Sequence, residues 1–181
     1  MKSQFIHVLT ILFCLISALV SAGNDSFEEI KRLAEQGDIS AQFKLGVMYY
    51  KGQEISQNYN EALNWFKKAA EQGLSEAQYN LGLVYYEGKG ISLNYTKALK
   101  WFQKAAEQGN PKAQFSLGVM YASGEGVPQN YIKAYAWTSL ALSNGYELAK
   151  KNILILNKSM TASEMEKAAT EAAKLRESLK K

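Results

Sequence analysis

Ala34-Glu35-Gln36-Gly37, Ala70-Glu71-Gln72-Gly73 and Ala106-Glu107-Gln108-Gly109 are one phrase written three times, at a constant step of 36 residues. The step reaches Gly145 in a degraded fourth copy. Other positions keep it. Leu45-Gly46 returns as Leu81-Gly82 and Leu117-Gly118, Tyr49 as Tyr85 and Tyr121, Ala62 as Ala98 and Ala134, and Trp65 as Trp101 and Trp137. A fixed period in this range marks a stack of like units, each burying its apolar face on the next. Such stacks offer extended surfaces and seldom enclose a catalytic pocket.

Within one period the apolar spacing is helical. In the middle copy Ala77, Leu81, Val84 and Tyr85 fall at i, i+4, i+7 and i+8, which predicts helix A over about 76–87. Ala98, Trp101, Phe102, Ala105 and Ala106 predict helix B over about 94–108. Asn58, Asn94 and Asn130 stand where helix B needs its N-cap. For helix A the caps expected are Asp38 or Ser40, then Ser75, then Asn110 ahead of Pro111. Gly73 closes the preceding helix in the left-handed conformation. A glycine-rich loop, Glu87-Gly88-Lys89-Gly90 or Gly124-Glu125-Gly126-Val127-Pro128, joins A to B; the first copy has Glu54 in place of the second glycine. Neither loop follows a strand or has phosphate-loop spacing, so both read as closures.

Gly46, Gly82 and Gly118 lie inside helix A, where each costs about 1 kcal/mol relative to alanine. Three at one repeat position imply that helix B packs there at close range, with its alanines and tryptophan filling the space.

The first 22 residues read as a removable leader. Lys2 is followed by an apolar run from Phe5 to Val20, and Val20-Ser21-Ala22 fits a small-residue cleavage site ahead of Gly23. No second apolar run of spanning length follows. The single cysteine (Cys14) and the single histidine (His7) both fall in the leader. The mature chain therefore has no cysteine or histidine for a zinc site, no disulfide, no thiol nucleophile and no Ser-His-Asp triad, and no metal or cofactor is expected. Net charge is +4 with acids and bases interleaved, which gives no stripe for nucleic acid. Asn24, Asn94 and Asn157 head glycosylation sequons, but Asn94 is better explained as a cap.

These residues resemble the Sel1-like repeat family, relatives of the tetratricopeptide repeat with a longer A–B loop. The resemblance rests on Ala77, Leu81, Gly82, Tyr85, Gly88, Gly90, Lys97-Ala98, Trp101, Lys104-Ala105-Ala106 and Gly109, and on Ala113, Leu117, Gly118, Tyr121, Gly124, Gly126, Val127, Ala134 and Trp137 in the next copy. It implies an all-α, right-handed α-solenoid of helix-turn-helix units with a C-terminal capping helix. The expected parts are a half-repeat helix over 23–37, repeats over 38–73, 74–109 and 110–145, and a degenerate repeat with capping helix over 146–181. At the front, Asp25 or Ser26 would cap a helix that carries Glu29 in the tryptophan position. At the back, Leu154 replaces the core glycine and Asn157 the tyrosine, so a standard helix B could not dock. Thr161 with Glu164 would make a capping box, and Met160 with Met165 a hydrophobic staple. Met165, Ala168, Ala169, Ala172 and Leu179 would form the inward side of the last helix, with polar outer faces ending the stack.

The resemblance also implies that helix A lines a concave wall. The positions beside its core stripe are Phe43, Val47, Tyr50 and Lys51, then Tyr79, Leu83, Tyr86 and Glu87, then Phe115, Val119, Ala122 and Ser123. Phe43, Tyr79 and Phe115 make a ladder of rings suited to an apolar or extended peptide ligand, unless the rings merely pack between adjacent A helices. Trp65, Trp101 and Trp137 are read as core. The expected function is a non-catalytic scaffold, monomeric, periplasmic or secreted, binding a protein or peptide partner and neither nucleic acid nor membrane. The alternative is an envelope enzyme of the β-lactamase-like kind acting on peptidoglycan-like or β-lactam ligands. Some relatives of that group staple their units with paired cysteines, which this chain lacks. Its acid–base groups would have to be loop carboxylates such as Glu54, Glu87 or Glu125.

Overall fold

The computed structural model describes residues 27–179. The leader, its cleavage point and the expected caps Asp25 and Ser26 lie outside the described residues. Within them the chain forms α1 (Phe27–Glu35), α2 (Ile39–Lys51), α3 (Tyr59–Glu71), α4 (Ser75–Glu87), α5 (Tyr95–Glu107), α6 (Pro111–Ser123), α7 (Tyr131–Ser143), α8 (Ala149–Ser159) and α9 (Ala162–Ser178), with no strand. Helices α2–α3, α4–α5 and α6–α7 are three hairpins, each packed on the next. No helix among the described residues is long and apolar enough to cross a membrane.

Capping fixes the helix starts. The Asp38 carboxylate accepts from the Ala41 amide at 2.7 Å, and Asn110 accepts from Ala113 at 3.1 Å. Asn58, Asn94 and Asn130 cap the second helices in the same way. Helix α4 departs from expectation. Leu74 holds its N-cap position with no side-chain bond, and the Ser75 hydroxyl donates to Glu76 instead. Ser75 is already the first helical residue, one position too late to cap.

The repeated glycines mark the closest helix approach, but the aromatic residue pressed on them is not tryptophan. A Cβ placed on Gly82 would lie 2.6 Å from two ring carbons of Phe102, and one on Gly46 would lie 2.6 Å from Phe66. In the third hairpin Thr138 stands in the phenylalanine position, its hydroxyl against Gly118, and donates to the Ala134 carbonyl at 2.7 Å. Each tryptophan packs backward instead. Trp65 joins Ile30, Ala34, Ala41, Leu45 and Met48, whereas Trp101 lies on the α3–α4 cluster of Phe66, Leu81 and Val84. Trp65 and Trp137 are buried. Trp101 is only half-buried, with the Lys104 ammonium 4.4 Å from its ring centre. The phenylalanine therefore closes a hairpin and the tryptophan joins hairpins.

A second device, unseen in the apolar pattern, links the units. Gln42, Gln78 and Gln114 are buried in the first helix of each hairpin. Each donates to a carbonyl of the preceding unit's Ala-Glu-Gln-Gly phrase: Ala34 at 3.2 Å, Ala70 at 3.1 Å and Ala106 at 3.1 Å. Each also accepts an amide from its own unit's closing turn: Gln72 at 2.8 Å, Gln108 at 2.7 Å and Asn144 at 2.9 Å. Buried amides need such partners, and here one side chain stitches two units. Gln78→Leu is expected to cost about 1 kcal/mol, at the low end for a broken buried bond, because Ala70 keeps its bond from Gly73 and Gln108 reaches water. Chemical denaturation of the variant checks this.

The ends differ from the expected caps in part. The capping box is present: Thr161 and Glu164 each bond the other's backbone. Met160 is buried with Ala134, Leu156 and Ala168, while Met165 is exposed, so the expected staple partner faces outward. Helix α9 packs on α7 rather than on α8. Its inward side is Ala168, Ala172, Leu175 and Leu179; Ala169 is exposed and Leu175 takes the place expected for it. The end is not wholly polar either, because α8 leaves Leu148, Leu154 and Ile155 exposed.

Candidate functional site

The positions expected to form a wall recur on the first helix of each hairpin. All eight expected wall residues (Phe43, Val47, Tyr50, Tyr79, Leu83, Tyr86, Phe115 and Val119) are half-buried. Phe43, Val47 and Tyr50 rest on the α3–α4 cluster, and Tyr79, Leu83 and Tyr86 on the α5–α6 cluster. The ring ladder is seated on aromatic neighbours. Phe43 lies 5.9 Å from Phe66, Tyr79 lies 5.8 Å from Phe102, and Phe115 lies 5.0 Å from Tyr146. These tilted contacts hold each ring against an aromatic neighbour.

Tyr50 and Tyr86 have a further task that the sequence reading assigned to binding alone. The Tyr50 hydroxyl donates to Glu87, the last residue of α4, at 2.7 Å, and that of Tyr86 donates to Glu125 in the loop after α6 at 2.7 Å, so each bond runs to the next unit. Lys89 closes the first of these with bonds to Glu87 at 2.7 Å and Tyr50 at 3.1 Å. In the next unit the acid has moved two positions, so Ser123 stands where Glu87 would be and donates to Glu125. Ala122 takes the tyrosine's place in the third hairpin, and the row of struts ends there.

Electrostatics follow from this packing. Burial pushes the Tyr79 phenol up to about 12, with Tyr146 and Glu87 nearby adding to it and a bond to Ser116 opposing. Burial also raises Tyr86, reinforced by Glu125. For Glu87, burial pushes upward, but the bonds from Lys89 and Tyr50 outweigh it and hold the carboxyl below its usual range. At neutral pH the phenols of Tyr79 and Tyr86 are therefore neutral, and Glu87 is ionised beside Lys89. Lys51, Ser123 and Glu87 lie exposed at the ends of their helices.

Glu54 keeps the loop shape of its glycine counterparts. Its φ is +64°, beside +73° at Gly90 and +72° at Gly126. A Cβ at Gly90 would meet the Tyr59 Cβ at 2.5 Å, and one at Gly126 would meet Tyr95 at 2.8 Å. Among the described residues no three acidic side chains gather into a metal site.

The hairpins, their phenylalanine-on-glycine seams and their glutamine stitches define a helical-repeat solenoid. The Sel1 repeat family pattern matches residues 39–74, 75–110 and 111–146, more than half of the chain. The chain belongs to the Sel1 repeat family. A Sel1 repeat protein from Oxalobacter formigenes is 38% identical, with a TM-score of 0.64, covering 72% of this chain and 98% of that one. A protective antigen with an SLR fold from uropathogenic Escherichia coli is 30% identical at a TM-score of 0.57, over 83% of this chain and 40% of that one. The cysteine-rich protein B of Helicobacter pylori shares the fold at 23% identity and a TM-score of 0.56, over 71% of this chain and 97% of that one. Among curated proteins, the secretory immunoglobulin A-binding protein EsiB of Escherichia coli is 40% identical over 64 residues. That is 35% of this chain but 13% of EsiB.

Proposed function

We propose that this chain is a non-catalytic interaction scaffold of the bacterial envelope or exterior. On this reading the row from Phe43 to Val119 is a concave wall that binds an extended protein segment. The observation that carries it is the regular spacing of rigid, half-buried rings with aliphatic neighbours, which matches the way extended chains dock into preformed apolar rows. The name of the relative EsiB, an immunoglobulin-binding protein, supports a protein partner. The leader supports export. Glu87 and Glu125, the carboxylates an acid–base reading would need, are engaged by tyrosine hydroxyls, which favours binding over catalysis.

Capture from envelope extract tests the wall. Tyr79→Ala/Phe115→Ala is expected to lose the partners that the wild-type chain retains, while circular dichroism stays helical. Because Tyr79 also touches Phe102, a second variant is needed. Val47→Arg/Val119→Arg places charge on the same row without removing a ring contact, and is expected to lose the same partners. If both variants fold and capture everything the wild type captures, the wall is not the recognition surface.

A further inference from the structure

Helix α8 is the first helix of an incomplete fourth unit, and the surface it should hide is bare. Leu148, Leu154 and Ile155 are 69%, 58% and 54% exposed. Lys151, Leu154, Ile155 and Lys158 fall at i, i+3, i+4 and i+7, one stripe of the helix, and Leu148 extends it by a turn. Lys150, Lys151 and Lys158 are exposed, α8 contains no acidic residue, and none of the three lysines joins an ion pair among the described residues. Leu154 stands one period after Gly118, at the position where a second helix packs in every complete hairpin. Helix α9 crosses to α7 and leaves that position empty of its usual neighbour.

We propose that this face of α8 docks an acidic amphipathic helix of a partner protein, separately from the wall of the first helices. The site continues the seam that the other units fill with a helix, so its register is that of helix on helix. Leu154 projects where the glycines received Phe66, Phe102 and Thr138, so the incoming helix carries a small residue opposite it and larger apolar residues beside Leu148 and Ile155. The uncompensated lysines select acidic flanks on the partner. A second copy of this chain is a poor occupant, because two such faces would bring like charges together. A membrane surface is also disfavoured. Three aliphatic side chains without an aromatic ring fall short of the continuous apolar face that interfacial helices use.

The probe is a labelled synthetic helix about three heptads long, with leucine and alanine on one face and glutamate on the other. The intact chain is expected to bind it saturably, with affinity falling as salt rises. Leu154→Ser/Ile155→Ser is expected to weaken binding at least about tenfold, as removal of two buried apolar side chains requires. Lys151→Glu/Lys158→Glu is expected to weaken it similarly, and the same peptide with lysine for glutamate should not bind. All these positions are exposed, so each variant should melt with the wild type. Failure of the intact chain to bind the acidic helix overturns the proposal, as does unchanged affinity in both variants. Two other results also overturn it: binding to phosphatidylglycerol vesicles in preference to the peptide, or a dimer in light scattering that Leu154→Ser/Ile155→Ser abolishes.

Discussion

Gly82→Leu lowers stability by about 3 kcal/mol, although leucine is the better helix former by nearly 1 kcal/mol. Even the first atom of the new side chain would sit 2.6 Å from the Phe102 ring, well inside contact distance. Phe102 cannot yield, because it is 1% exposed and held by Tyr79 and Tyr86. Overpacking of this kind typically costs 1–3 kcal/mol, occasionally more, and the whole hairpin seam must open to admit three further carbons. Urea denaturation gives the number. A Gly82→Leu variant as stable as the wild type means that α5 does not press on α4 at this point.

Phe102→Ala is expected to cost more, about 3–5 kcal/mol, the range for an aromatic side chain removed from a packed core. The ring touches the bare backbone of Gly82 and supports two wall residues, so its loss leaves a cavity across both helices of the hairpin. The two substitutions should couple. A leucine at position 82 partly fills the space that Phe102→Ala vacates, so the double variant should be less destabilised than the sum of the singles. Simple additivity would mean that the two residues do not share one space. On the proposed function the same ring also links stability to recognition, because Phe43 and Tyr79 are seated on Phe66 and Phe102.

The stack was legible because its period is written into the chain. Gly46, Gly82 and Gly118 in step with the alanines of the second helix announce close packing wherever they occur. Which neighbour they receive was not legible. Trp101 and Phe102 are adjacent, about 100° apart on the helix, and both are large and aromatic. The fully repeated tryptophan drew the inference, while the phenylalanine, replaced by Thr138 in the third unit, did the packing. Gln78 stayed hidden for a different reason. Apolar stripes are found by counting apolar residues, and a polar side chain buried among them leaves no mark unless its partners are known. Glu54 keeps the left-handed backbone of its glycine counterparts, although glycine is the usual residue there. The cost of a Cβ there depends on Tyr59 or Tyr95 one unit back, a contact set by stacking rather than by local sequence. At the far end Leu154 and Asn157 correctly signalled that the pattern breaks. An amphipathic stripe says that a helix has an apolar side, but not whether anything covers it, and so the bare face of α8 was missed.

The residues of the proposed wall carry structural contacts that their spacing does not announce. Phe43 and Tyr79 brace their own hairpins through Phe66 and Phe102, whereas Phe115 packs on Tyr146, beyond its hairpin. Tyr50 and Tyr86 tie neighbouring units through Glu87 and Glu125. Such bonds span 37 and 39 residues, beyond anything periodicity within one helix reports.

The central claim is that each hairpin meets the one before it through the same glutamine and tryptophan contacts, so that the stack is extensible. Inserting a second copy of residues 75–110 directly after Asn110 tests it. Thermal unfolding followed by circular dichroism should show one cooperative transition at a higher temperature than the parent, with helical signal increased by two further helices, as nearest-neighbour stacking requires. A lower melting temperature, or an early transition that releases the added unit alone, would contradict it.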